Sequence, residues 1–184
     1  KVSSGKMGDF TIHVSDVKNL KVGDVVELQL FNKDGENGEI IKDLYQGAKV
    51  KPGSHHWKFP KLPIVRQQVE ITKISGSKIT LKTPLTISIK TSYQAQLVEW
   101  KHLNEVGIEH LRFTFPDIPR VAHHVEPGNN GIFLTRLFNS WIKDVKITNA
   151  DSGILAEEVS NVTIQDITTD GPHLSHYTVT LGGV

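Results

Sequence analysis

Asn139-Ser140-Trp141-Ile142-Lys143-Asp144-Val145 returns as Asn161-Val162-Thr163-Ile164-Gln165-Asp166-Ile167, and Gly131-Ile132-Phe133-Leu134 returns as Gly153-Ile154-Leu155-Ala156. Both recurrences are 22 residues apart. Two segments sharing one period describe a coil of at least two strands. The period is too short for a β-α-β crossover of about 30 residues and suits one turn of a solenoid. A leucine-rich repeat has a similar length, but its leucine spacing and helical convex face are missing. The pattern predicts stacked parallel strands, with Ile142, Val145 and Ile147 pointing inward to meet Ile164 and Ile167 of the next coil. Asn139 should lie below Asn161, so that their amides form a ladder along the stack.

Upstream, Ile108-Glu109-His110-Leu111-Arg112-Phe113 fits an earlier coil. The extra residues before Ile142 leave the stack as a Pro-rich polar loop, Pro116 to Gly128. Downstream, the period reaches Ser175, followed by His176 to Leu181 as the opening strand of another coil. A bare terminal coil exposes edge groups and apolar core. Further chain or a partner chain is therefore expected to complete the solenoid.

The first half reads as short strands rich in β-branched residues: Phe10 to Val14, Val25 to Phe31, Val69 to Ile74, Lys78 to Leu81 and Leu85 to Ile89. Residues 68–81 alternate apolar and polar across Ser75-Gly76-Ser77, the pattern of a hairpin. These pieces predict a small β-barrel or sandwich between residues 8 and 90. Composition allows one helix, around Ser92 to Val106, although Val98-Glu99-Trp100 equally suits a strand.

Bulk properties exclude several classes. The 184 residues are 38% hydrophobic, enough for a sizeable core, and 21 Lys+Arg against 20 Asp+Glu leave a net charge of +1. No global field recruits nucleic acid or a membrane. The absence of cysteine removes disulfides, thiolate nucleophiles and cysteine metal sites. No apolar run approaches the roughly 18 residues of a membrane span. The start at Lys1-Val2-Ser3, without Met or a signal peptide, reads as a processed or excised chain.

Val106 to Phe113, Asn139 to Ile154 and Ser160 to Asp166 together resemble the coils of the pectate-lyase-like superfamily of right-handed parallel β-helix proteins. The resemblance implies an all-β chain: a barrel-like or sandwich-like N-terminal domain over residues 1–97, and an incomplete β-helix over 98–184. The superfamily includes polysaccharide lyases and hydrolases, epimerases, phage tailspikes and surface adhesins, and no one member's catalytic motif is present. The implied protein is secreted or on a cell surface, of bacterial origin, with polysaccharide as partner. Its leading role is glycoside hydrolysis in a long groove. Its rivals are a lyase using a basic residue, with calcium a candidate cofactor, and a noncatalytic surface, tail-fibre or carbohydrate-binding solenoid.

The register makes His110, Asp144 and Asp166 a column spaced about 4.8 Å per coil. Two outward carboxylates there provide a general acid and base, at a spacing nearer the ~5–5.5 Å of a retaining glycosidase than the ~6.5–9.5 Å of an inverting one. The same residues serve equally to cap strand ends. One coil on, Asp151 aligns with His173, a pair suited to proton transfer, to a metal or simply to a turn. Arg112, Lys146 and Arg136 form either a basic stripe for an acidic substrate or a solvated face. Trp141 either stacks on a sugar ring or fills a corner. Trp57, His55-His56 and His123-His124 lie in loops, and no distinctive metal-ligand spacing accompanies them.

Overall fold

Val26, Leu28 and Leu30 alternate with Glu27 and Gln29, the period of a strand with one face in a core. The computed structural model describes residues 1–33, 35, 38–46, 62–118, 125, 128–172 and 176–182. It is nearly all β and divides into two compact units, Lys1–Trp100 and Lys101–Gly183. No described helix is long and apolar enough to cross a membrane.

The first unit contains β1 (Val2–Ser4), β2 (Thr11–Val14), β3 (Val25–Phe31), α1 (Glu39–Leu44), β4 (Pro63–Ser75), β5 (Lys78–Leu81) and β6 (Gln94–Glu99). Its strands follow the order β1-β2-β5-β4-β3-β6, all antiparallel. The expected hairpin forms between β4 and β5, where Ser75 pairs with Lys78 around Gly76-Ser77. Gly76 has φ 57°, the positive φ that a type II′ turn places at its first loop residue.

Three expectations for this unit are corrected. The strand path is open at β1 and β6 among the described residues, so no barrel closes. Leu85 to Ile89 is not a strand. It follows Pro84, which lacks an N–H, and it makes the single bridge Gly5↔Ile89 while Leu85 and Ile89 enter the core. The stretch from Ser92 takes the strand alternative as β6, which starts at Gln94 rather than Val98, and not the helix, because the free edge of β3 offers a full antiparallel ladder that outweighs local propensity. The helix that does form, α1, buries Ile40 and Ile41 against the sheet core.

A charged clamp ties α1 to the segment before β6. Asp43 accepts from the Tyr93 hydroxyl and from Lys90 Nζ at 2.6 Å, and Glu39 lies 3.3 Å from the same Nζ. The Lys90 hydrogen bond first, then Tyr93, holds the Asp43 carboxyl below its ordinary 3.8. A depressed carboxyl contributes stability above its unfolded pKa and loses it as pH falls through the folded value. The resistance of the parent to urea should therefore fall more steeply than that of Asp43→Asn as the pH is lowered through the acid range. Parallel pH profiles for the two proteins would remove the clamp from the acid response.

The second unit comprises β7 (Leu103–Asn104), β8 (Gly107–Thr114), β9 (Asn130–Thr135), β10 (Leu137–Thr148), β11 (Ser152–Glu157), β12 (Ser160–Asp170) and β13 (Tyr177–Gly182). All of its ladders are parallel. In one sheet β10 lies between β12 and the pair β7 and β8; in the other β11 lies between β9 and β13. Ile142 pairs with both Ile108 and Ile164, the alignment expected from sequence. Gly131 and Gly153 also stack closely, since a β-carbon on Gly131 would clash with the Gly153 carbonyl. The next step departs from the predicted period. Ile154 pairs with Val179, which places the mate of Gly153 at Thr178 and not Ser175, because three extra residues enter between β12 and β13.

The coils turn at left-handed residues. Positive φ recurs in columns: Arg136 (53°) and Glu158 (49°); Glu105 (56°), Asn139 (50°) and Asn161 (54°); His110 (53°), Asp144 (49°) and Asp166 (54°). One left-handed residue inside an extended run bends the strand, and Asn and Asp tolerate that conformation better than most residues. At each 110/144/166 corner two successive side chains face out, so Val145 returns inward and is 1% exposed. Asp166→Gly should be nearly neutral to stability, whereas Asp166→Val should cost about 1–2 kcal/mol. Equal urea midpoints for the two variants would refute the corner's backbone role.

Candidate functional site

Between two of these corners, the outer face of β8, β10 and β12 forms a grid. Glu105, Asn139 and Asn161 occupy one row at the corner. Gly107, Trp141 and Thr163 form the middle row, and Glu109, Lys143 and Gln165 the third. An open groove of about 670 Å³ lies over this face, lined by Glu105, Asn139, Trp141, Lys143, Asn161, Thr163 and Gln165 together with Ser140. Asn161 Nδ2 donates to Asn139 Oδ1, forming the predicted amide ladder.

Trp141 faces outward and does not fill a corner. A β-carbon on Gly107 would lie 2.5 Å from its Cε2 and 2.6 Å from Cζ2 and Nε1, so one face of the indole rests on the glycine backbone. Its Nε1 donates to Glu109 Oε1 at 2.5 Å, and the side chain keeps 37% of its surface exposed. The indole is thus fixed at one edge by a carboxylate and on one face by a strand.

The column proposed from sequence lies at the adjoining corner. His110 Nδ1 is 2.7 Å from Asp144 Oδ2, so the nearest polar partner of Asp144 is an imidazole. His110 Nε2 lies 4.0 Å from Glu109 Oε2, and Asp166 accepts from Gln165 Nε2 at 3.0 Å. Each of these groups is exposed. Asp151 is elsewhere, at the entry to β11: its Oδ2 accepts the amide of Asn129, just before β9, at 2.7 Å, and its carbonyl accepts the amide of His176. His173, like Trp57 and the two His-His pairs, lies outside the described residues.

The three basic candidates do not share the groove. Arg136 pairs with Glu158 at 2.9 Å, corner to corner. Lys146 lies beyond the 144 corner and contacts Asp170 Oδ2 at 2.5 Å, while Thr148 Oγ1 donates to Asp170 Oδ1 at 2.6 Å. Lys146 first, then Thr148, holds the Asp170 carboxyl below the usual carboxylate value. Arg112 sits below Lys146 in register, exposed. Among the described residues no three His, Asp or Glu side chains converge to hold a metal.

Sequence reasoning found Trp141 but missed Glu105, Glu109, Asn161, Thr163 and Gln165 as its neighbours, and it gave Lys143 no part in a site. The available signal was alternation: every second residue outward from Asn139 to Lys143 and from Asn161 to Gln165.

Solved structures to which the chain is similar include phage tailspikes. They include the tailspike protein gp49 from Pseudomonas phage LKA1 (16% identity, TM-score 0.54, covering 98% of this chain and 26% of that one). A second is tailspike gp61 of Pseudomonas phage phi297, with 14% identity, TM-score 0.55 and coverage of 91% and 30%. A more distant one is the Gp54 tailspike of Acinetobacter baumannii bacteriophage AP22, in complex with A. baumannii capsular saccharide, at 11% identity and TM-score 0.40, covering 100% and 33%. The chain thus spans about a third or less of each protein's length. No family model and no curated protein matches it.

Proposed function

We propose that this chain is part of a right-handed parallel β-helix protein of the pectate-lyase-like kind, exposed on a cell or particle surface, that binds an extended polysaccharide along the groove at Trp141. The observation that carries this reading is the half-open indole, held by Gly107 and Glu109 among amide and hydroxyl side chains. An aromatic face attracts the polarised C–H groups of a sugar ring, and flanking amides exchange hydrogen bonds with its hydroxyls. An open groove suits a chain better than a small enclosed molecule. The test is calorimetric binding of purified bacterial surface polysaccharides to residues 1–184 and to Trp141→Ala. Binding that survives the substitution unchanged would end this reading.

Cleavage is a second reading, favoured by the position of Asp144 and Asp166 directly after the groove residues Lys143 and Gln165. His110 paired to Asp144 provides a proton-transfer couple, and Asp166 a second carboxylate. A hydrolase would release reducing ends without an unsaturated product, and Asp144→Asn or Asp166→Asn would suppress the release. An ultraviolet-absorbing product would point to a lyase. A bound polysaccharide left intact by the parent protein would leave binding alone.

A further inference from the structure

Building on the proposed polysaccharide-binding role, we infer that the groove takes an acidic saccharide, with its carboxylate directed toward Lys143. Lys143 stands directly opposite Glu109 in the β8–β10 register, a cross-strand position where opposite charges ordinarily pair. Here the pair does not form. Glu109 turns its Oε1 to the indole Nε1 of Trp141, and its Oε2 faces His110.

The other anions near Lys143 are committed too. Asp144, next in sequence, is paired to His110, and Asp166 accepts from Gln165, the residue on the far side of Lys143 in register. Among the described residues Lys143 has no hydrogen-bonding or ionic partner, and it is the one cation lining the groove. Lys146 provides the contrast, since on the next face of the same strand its ammonium is taken by Asp170. The Trp141 indole therefore keeps Glu109 away from Lys143, leaving three ammonium donors open beside the aromatic face.

The opposite end of the groove carries Glu105 beside the Asn139–Asn161 amide pair. A carboxylate is repelled there and attracted at the Lys143 end, so the groove is polar along the strand direction. A sugar resting on Trp141 thus has a preferred orientation, with its acid group toward Lys143 and its neutral hydroxyls toward the asparagines.

The test follows the indole N–H resonance of Trp141 in ¹⁵N-labelled residues 1–184, identified among the three tryptophans by its loss in Trp141→Phe. The ligands are tetragalacturonate and the same oligomer after carboxyl reduction to its neutral form. The acidic oligomer should bind about fivefold more tightly at low salt, the scale of an exposed ion pair. That preference should vanish in Lys143→Met and in about 0.5 M NaCl. Equal affinity for the two oligomers in the parent, or a preference undiminished in Lys143→Met, would overturn the inference while leaving saccharide binding in place. An indole resonance that moves with neither oligomer would overturn the groove as a saccharide site, and the inference with it.

Discussion

Gly107→Val should abolish saccharide binding about as fully as Trp141→Ala, a loss of ~30-fold or more for an aromatic anchor of about 2 kcal/mol. The thermal unfolding midpoint should barely change. A side chain at 107 has no backbone reason to be costly, because Gly107 is not among the positive-φ residues. The atoms it would meet belong to the Trp141 ring, which can swing into solvent. The substitution thus displaces the indole without disturbing the core beneath, where Ile108 and Ile142 pair inward. Phe133→Ala, on the outer face of the other parallel sheet, removes a ring more exposed than Trp141 and should leave binding intact. Calorimetry with tetragalacturonate, alongside thermal unfolding of each variant, separates the two properties. Full binding by folded Gly107→Val would rule out stacking on the seated indole.

Much of the second unit was legible because its local and tertiary demands coincide. Asn139 and Asn161 are residues that accept a left-handed corner, and the stack brings them together as an amide pair. The corner at 110, 144 and 166 also left a mark: two polar residues between inward apolar ones, Lys143-Asp144 and Gln165-Asp166. Read as a catalytic column or as caps of strand ends, that mark did not disclose the left-handed backbone at its centre. The three residues inserted before β13 left no comparable trace, and the residue stacked on Asp151 is consequently His176. The groove was harder to foresee. Its platform depends on a glycine 34 residues away, beneath Trp141, a separation that includes the loop after β8. In the first unit, α1 was missed and β6 was left between helix and strand because short segments of middling propensity took their conformation from the sheet they joined.

Ile142→Ala should destabilise the second unit by about 2–5 kcal/mol, the cost of deleting a buried aliphatic side chain and leaving a cavity. Ile142 is 1% exposed, with Val145 at 1% and Ile147 at 0% beside it on β10, and Ile154 at 0% across the coil on β11. Ile108 and Ile164 occupy the same column one coil to either side but remain partly exposed. Their truncation removes less buried surface and leaves a site that water can fill, so each should cost distinctly less than Ile142→Ala. The same logic explains why Leu181 is 70% exposed although it pairs with Ala156, which is 1% exposed. The inward register alone does not bury a side chain; a coil on both sides does. Urea unfolding of the three alanine variants, followed by circular dichroism, measures that gradient. Equal losses at all three positions would mean that the stack is not organised around its middle coil.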